Sequence, residues 1–256
     1  MIKTQMVTMT KLKNDEVLND LLGFKNMKII QNPKMFNFSL DSTLLAYFAP
    51  ANHHTKRILD LGTGFAPVPL MLSQKTKATI IGVELQDEVF DIAKRNIDLN
   101  NLNHQITIIQ DDIKNLTTRF DKKSFDLIVC NPPFFKYQEN SNINKNQYKT
   151  IARHELKIKL KEVIETASKL LIDNGRFTMV HRPERLSEII FHLSANHLTI
   201  KRLRYVHPRP HEDAMMILID CKKHGNTGLK VLPPLFVHEN NDYSKEAKAI
   251  FNNERV

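Results

Sequence analysis

From residue 57 onward, short apolar runs alternate with amphipathic stretches, and that alternation leaves few folds open. RILDLG (57–62), ATIIGVEL (78–85), ITIIQ (106–110), FDLIVC (125–130) and RFTMVH (176–181) are short and mostly rich in β-branched residues. They read as strands. Helical patterns separate them: one beginning at APVPLMLSQ, one over 87–101, one over about 153–172 with DNG as its stop, and PERLSEIIFHLSANH with Pro183 in its first turn. Strands that alternate with helices build a mostly parallel, doubly wound sheet, so the expected class is α/β and Rossmann-like. TIKRLRYVH (199–207) and AMMILIDCKK (214–223) are joined only by the turn-like PRPHED, so the last strand is expected to run antiparallel.

Residues 1–50 have a different character. A polar start holds one amphipathic turn, VLNDLL. MKIIQNP and MFNFS are expected to form a hairpin across QNPK, and DSTLLAYFA a short helix capped by Asp41 or Ser42. The expected organisation is a hairpin-and-helix extension (1–50) packed on one core domain (51–256). Residues 136–152 are polar and Asn-rich and read as a loop.

No apolar stretch approaches the roughly 18 residues needed to span a bilayer. The start MIKTQMVTMTKLKND has no apolar core of a secretory signal, so a cytoplasmic protein without a membrane partner is expected. Cys130 and Cys221 both sit in apolar runs and read as buried thiols rather than a disulfide or zinc site. His207 and His211 have no further ligands at metal spacing, so no metal is expected. The net charge of +9 favours anionic partners, nucleic acid first, although a Lys- and Asn-rich chain also follows from AT-biased coding.

LDLGTGFAP follows the first strand of the alternating region, where a glycine-rich turn brings backbone close to a ligand. The third glycine of a dinucleotide fingerprint is replaced by Pro67, and Asp60 precedes Gly62 and Gly64. A carboxylate there repels a pyrophosphate and suits S-adenosylmethionine (SAM), which carries a sulfonium and an ammonium. Glu84 ends the next strand about 20 residues after the glycines, where an acid accepts hydrogen bonds from ribose hydroxyls. Asp112, or less favourably Asp111, closes the third strand and suits the adenine amino group; its alternative role is a helix N-cap.

NPPF (131–134) follows the fourth strand of this series. Pro132 holds Asn131 extended, and neither Pro132 nor Pro133 has an N–H. The turn therefore presents two rigid acceptors, the Asn131 side-chain oxygen and the Pro132 carbonyl, which complement a planar NH₂ group. Phe134 offers a face for a flat ring. A sulfonium donor is already activated, so catalysis reduces to alignment and polarisation.

At these residues the chain resembles the SAM-dependent methyltransferases with an N-P-P-[FY] motif, which act on exocyclic or amide NH₂ groups. More closely it is similar to the bacterial tRNA1(Val) adenine-37 N(6)-methyltransferases, through FSLDS, NPPFFK, ARHE, VHRPERL, YVHPR and LPPLFVHENNDYSKE. The resemblance implies methylation of the amino group of the adenine 3′ of the anticodon. It implies Asn131, Pro132, Pro133 and Phe134 as catalytic, and Asp60, Gly62, Gly64, Glu84 and Asp112 as SAM-binding, with Ser39 and Asp41 closing over the methionine end. Ala66 departs from the glycine found there in many methyltransferases. The implied partner is tRNA, a valine isoacceptor, and the expected state is a monomer. Lys136, Lys145, Lys149, Arg153, Arg182, Arg185, Arg204 and Arg209 are candidates for RNA contacts, with Arg153 and His154 alternatively supporting the NPPF loop. Three rivals stand beside this reading: a DNA adenine enzyme, a release-factor glutamine enzyme and a non-catalytic SAM- or RNA-binding protein. The 136–152 insertion is short for the first, and an N-terminal region with strand character is unlike the second. An intact NPPF has no use in the third.

Overall fold

The computed structural model describes residues 11–24, 26–35, 40–132 and 159–254. Strands β1 (Val17–Asp20) and β2 (Lys28–Gln31) come first, then helix α1 (Leu40–Phe48). The alternating region follows: β3 (Arg57–Leu61), α2 (Pro67–Ser73), β4 (Thr79–Glu84), α3 (Asp87–Leu99), β5 (Ile106–Gln110), α4 (Leu116–Arg119), β6 (Phe125–Cys130), α5 (Leu160–Leu170), β7 (Leu171–His181), α6 (Leu186–Ala195), β8 (Leu198–His207) and β9 (Met216–Lys223). Four two-residue strands, β10 (Lys230–Val231), β11 (Leu235–Phe236), β12 (His238–Glu239) and β13 (Asp242–Tyr243), lead to α7 (Lys245–Phe251).

The main sheet runs β10-β8-β9-β7-β6-β3-β4-β5, and β11 also joins β8. Strands β3 to β7 pair parallel, and β9 lies antiparallel between β7 and β8. The α/β class and the antiparallel AMMILIDCKK strand are thus as the sequence predicts. Apolar side chains of the central strands split by strand parity onto two faces. One face packs with the hairpin, α1, α2, α3 and α7, the other with α4, α5 and α6.

Two local expectations are corrected. The strand KIIQ pairs with VLND, in register Val17↔Gln31 to Asp20↔Lys28, so VLND is a strand and not the expected amphipathic turn. All four of its residues are exposed, so no alternation of buried and exposed positions marks the strand. The link Leu21 N–H to Met27 C=O (2.9 Å), with Gly23 at φ 80°, closes this hairpin. QNPK does turn, through Met35 N–H to Asn32 C=O (3.0 Å), but residues 36–39 lie outside the described residues. The second correction concerns DNG, which sits inside β7 rather than stopping α5. Leu171 is already extended (φ −70°, ψ 139°) and pairs with Phe125 across an irregularity in the β6–β7 register. Residues 153–158 of the predicted helix lie outside the described residues.

Asp220 of β9 joins three strands to α1. It is fully buried and accepts from Arg176 Nε of β7 (3.0 Å) and Arg202 Nε of β8 (2.7 Å), with Thr178 Oγ1 at 3.3 Å. Arg202 also donates to the Phe48 carbonyl at the end of α1 (2.8 Å) and lies 4.4 Å from the Phe48 ring centroid. Removing one member of a buried pair strands the other charge. The two arginines keep part of their side chains in solvent, which moderates the loss. Asp220→Ala is expected to lower unfolding free energy by about 2–3 kcal/mol, read from the urea midpoint at constant m-value.

Candidate active site

Strand order reverses between β3 and β6, which start connections to opposite sides of the sheet. Open α/β sheets bind ligands at the carboxyl ends of the strands at such a point. The register Leu61↔Cys130 brings the glycine loop after β3 beside Asn131 after β6. The Cys130 thiol, fully buried, donates to the Leu61 carbonyl (3.3 Å) and ties the two strand ends together.

The loop from Gly62 to Ala66 is held from beneath. Gly62 (φ 72°) and Gly64 (φ 58°) are left-handed, and a Cβ placed on Gly62 would meet nothing within 4 Å, so only backbone conformation demands glycine there. Ala66 is also left-handed (φ 65°), a conformation that costs a non-glycine residue roughly 1–2 kcal/mol. Thr63 N–H donates to the Val83 carbonyl of β4 (2.8 Å), and Ala66 N–H to the Thr63 carbonyl (3.0 Å).

Asp60 is buried under this loop and accepts a hydrogen bond from Thr63 Oγ1 (2.6 Å). Burial pushes its carboxyl up to about 7; the Thr63 bond opposes the shift and the nearby Glu84 charge adds to it. Glu84, also buried, has one oxygen on Gly64 N–H (3.0 Å) and the other on Leu85 N–H and Gln86 N–H (both 2.9 Å). Burial raises its pKa against the pull of these three N–H groups. The Gln86 side chain also hydrogen-bonds Glu84 and opposes the same shift. Neither acid takes its shift from a nearby cation among the described residues.

Asp112 caps a short 3₁₀ turn by accepting from Lys114 N–H (2.9 Å), and Lys114 Nζ lies 3.3 Å from its other oxygen. Asp111 is engaged with Arg119 Nη1 (3.0 Å) and Asn115 Nδ2 (3.2 Å), which leaves Asp112 the freer of the two. Asn131 is half-buried directly after β6, and Pro132 is buried. Asp41 lies in the first turn of α1, not at its cap.

The structure therefore brings Asp60, Gly62, Gly64, Glu84 and Asn131 to one sheet edge, with Asp112 after β5. Ser39, Pro133, Phe134, Lys136, Lys145, Lys149, Arg153 and His154 lie outside the described residues. Among the other cations, Arg182 donates to the Met215 carbonyl (2.7 Å). Arg185 is buried and forks onto Glu188 (3.2 and 2.8 Å), and Arg204 onto Glu246 (2.7 and 2.8 Å). Arg209 is exposed, 3.5 Å from Glu212.

Three residues at or beneath the edge were not singled out from sequence. Thr63 holds Asp60, and the Asp-x-x-Thr spacing was its signal. Leu85 presents an exposed apolar side chain next to Glu84. Asn96 is fully buried on α3, at a position where Val89, Ile92, Ala93 and Ile97 mark the apolar face.

The Asp60 shift sets a sign for pH. The folded carboxyl keeps its proton up to about pH 7, whereas the ordinary value is 3.8. Between those values the folded state binds more protons than the unfolded one, so this group removes stability as pH rises through the window. Asp60→Asn lacks that loss. Its stability relative to the unsubstituted chain is expected to increase between pH 4 and pH 8, by up to about 4 kcal/mol, in urea titrations across the range.

The family model described as the methyltransferase small domain matches residues 26–194. A tRNA1(Val) (adenine(37)-N6)-methyltransferase of Porphyromonas gingivalis is 31% identical over 209 residues, covering 79% of this chain and 81% of that protein. The protein of the same name from Haemophilus influenzae is 35% identical over 159 residues, covering 61% of this chain and 66% of its own. Among solved structures, a predicted O-methyltransferase of Agrobacterium tumefaciens superposes with a TM-score of 0.66 at 21% identity, over 83% of this chain and 96% of that one. Geranyl diphosphate C-methyltransferase of Streptomyces coelicolor, solved with S-adenosyl-L-homocysteine, gives 0.54 at 12% identity, over 71% of this chain and 79% of its own. These two structures share the fold. By the span of the family model and its identity to these relatives, the chain belongs to the small-domain methyltransferases, alongside the tRNA1(Val) (adenine(37)-N6)-methyltransferases.

Proposed function

We propose that this chain methylates the exocyclic N6 amino group of adenine 37, next to the anticodon, in valine tRNA, with SAM as methyl donor. The observation that carries the proposal is one juxtaposition. Two buried carboxylates, Asp60 and Glu84, lie under a glycine loop, and Asn131-Pro132 stands on the neighbouring strand end. The relatives named for this reaction support the substrate.

The residues fit SAM. Its sulfonium and ammonium suit an edge where two buried acids have no cation of their own among the described residues, and where a phosphate would be repelled. Asp60, Gly62 and Gly64 would hold the methionine part together with Ser39 and Asp41, Glu84 the ribose, and Asp112 the adenine. When bound, SAM supplies a methyl group already activated by its sulfonium.

The chain's own part is orientation. Asn131 has only acceptors for neighbours along the turn, because Pro132 and Pro133 lack N–H groups. Its side-chain oxygen and the Pro132 carbonyl accept the two hydrogens of the adenine amino group, which turns the nitrogen lone pair toward the donor. Burial of Pro132 and the fixed end of β6 keep the acceptors aimed without reorganisation. Phe134 stacks the base. Lys136, Arg153 and Arg182 are proposed to meet the RNA backbone; Arg185 would do so only by breaking its pair with Glu188.

Two outcomes check this. Tritium from labelled SAM should appear in N(6)-methyladenosine of valine tRNA when unmodified bulk tRNA is the substrate. Label in DNA or in a release factor instead would overturn the substrate. Asn131→Ala should lower kcat about 100-fold or more with SAM affinity unchanged in calorimetry; an unchanged kcat would sink the role of the turn.

A further inference from the structure

Asn96 is a buried polar side chain that connects two separate parts of the molecule. It sits on the apolar face of α3 and has no solvent exposure. A side-chain amide has two N–H donors and one carbonyl acceptor, and every one of them is engaged. Its Oδ1 accepts from Ile30 N–H of β2 (2.6 Å), and its Nδ2 donates to the Ile30 carbonyl (3.0 Å) and to the Phe65 carbonyl (2.9 Å). Only one orientation of the amide satisfies all three.

The third bond falls at a sensitive place. The Phe65 carbonyl belongs to the peptide that precedes Ala66, the residue of the loop that is left-handed without being glycine (φ 65°). Fixing the plane of that peptide fixes the turn by which the loop enters α2. Asn100, one helical turn further on, repeats the pattern on Lys28 with an accepted N–H (3.0 Å) and a donated bond to its carbonyl (2.8 Å). Asn96 and Asn100 thus meet alternate residues of β2 as a neighbouring strand would, yet Asn96 alone of the two also reaches the loop.

We propose that Asn96 is a positioning residue for cofactor binding: its amide holds the Phe65–Ala66 peptide in the conformation that SAM requires and locks it to the N-terminal hairpin. The inference rests on the reading of the glycine loop as the SAM site. It assigns Asn96 no contact with substrate or cofactor.

Asn100→Ala is the structural control, since it loosens the same hairpin without touching the loop. Ala66→Gly is the rescue, since glycine adopts the left-handed conformation without needing to be held there. Calorimetric titration with SAM comes first on the unsubstituted chain, where no binding would overturn the loop reading itself. Given binding, Asn96→Ala is expected to weaken SAM affinity about tenfold or more, by analogy with the loss of an outer-shell partner at a metal site. Asn100→Ala should leave affinity unchanged. Ala66→Gly added to Asn96→Ala should restore most of the affinity while leaving the lowered urea midpoint unrestored. Equal weakening by the two asparagine variants, or no rescue by glycine, would reduce Asn96 to a hairpin anchor and overturn the proposal. Should Asn96→Ala not fold, amide hydrogen exchange on the unsubstituted chain decides: SAM should slow exchange at Ile30 but not at Lys28, and equal effects at both would overturn it.

Discussion

The parallel pairing of β3 with β6, Ile58↔Leu127 through Leu61↔Cys130, is the contact on which the rest depends. It joins the two halves of the sheet where their connections diverge. In open α/β sheets a crevice forms at such a point, because the connections leave to opposite sides. One strand delivers the glycine loop to that edge and the other Asn131 and Pro132. In the proposed reaction neither motif suffices alone: the first would hold the donor, and the second would aim the amino group. The Cys130 thiol on the Leu61 carbonyl fixes the two ends at the level where the chain leaves the core.

Burial does the electrostatic work at this edge. Asp60 and Glu84 lie close together under one loop, away from water and without a partner cation among the described residues. That arrangement is unfavourable for the empty fold and favourable for a cationic ligand, a division of stability and function common at binding sites. The structure supports the acids with hydrogen bonds to Thr63 and to backbone N–H groups, not with lysine or arginine. A salt bridge would stabilise the empty site but compete with the ligand's own charge. Among the described residues the buried cationic contacts lie elsewhere, as with Arg176 and Arg202 around Asp220.

The N-terminal segment is not a detached appendage. Ile29 and Ile30 of the hairpin and Leu44 and Leu45 of α1 share an apolar core with α2, α3 and α7. Polar bonds register this packing: Asn96 and Asn100 on β2, and Arg95 Nη1 on Glu16 (2.8 Å). Hydrophobic contact supplies attraction without direction, and the two amides supply the register.

The sequence by itself determined the alternation of strands and helices, and with it the parallel sheet and the carboxyl edge where a ligand lies. Period and β-branching are local properties, and the ends of FDLIVC and ITIIQ are marked by residues that cannot continue a strand. It also carried the places of Asp60, the two glycines, Glu84 and Asn131 at the strand ends, because the apolar runs that precede them mark those ends. Tertiary structure decided what depends on distant partners. VLND carries no pattern of its own and becomes a strand only because KIIQ lies across the turn. The arginines of 185 and 204 look like a basic surface until Glu188 and Glu246 are seen beside them. Asn96 reads as one polar residue in a polar stretch, and only the fold sets a β2 backbone and the loop carbonyl within reach of its amide. Hydrogen bonds between segments 31 and 66 residues apart leave no local trace, since their geometry exists only once the core has closed.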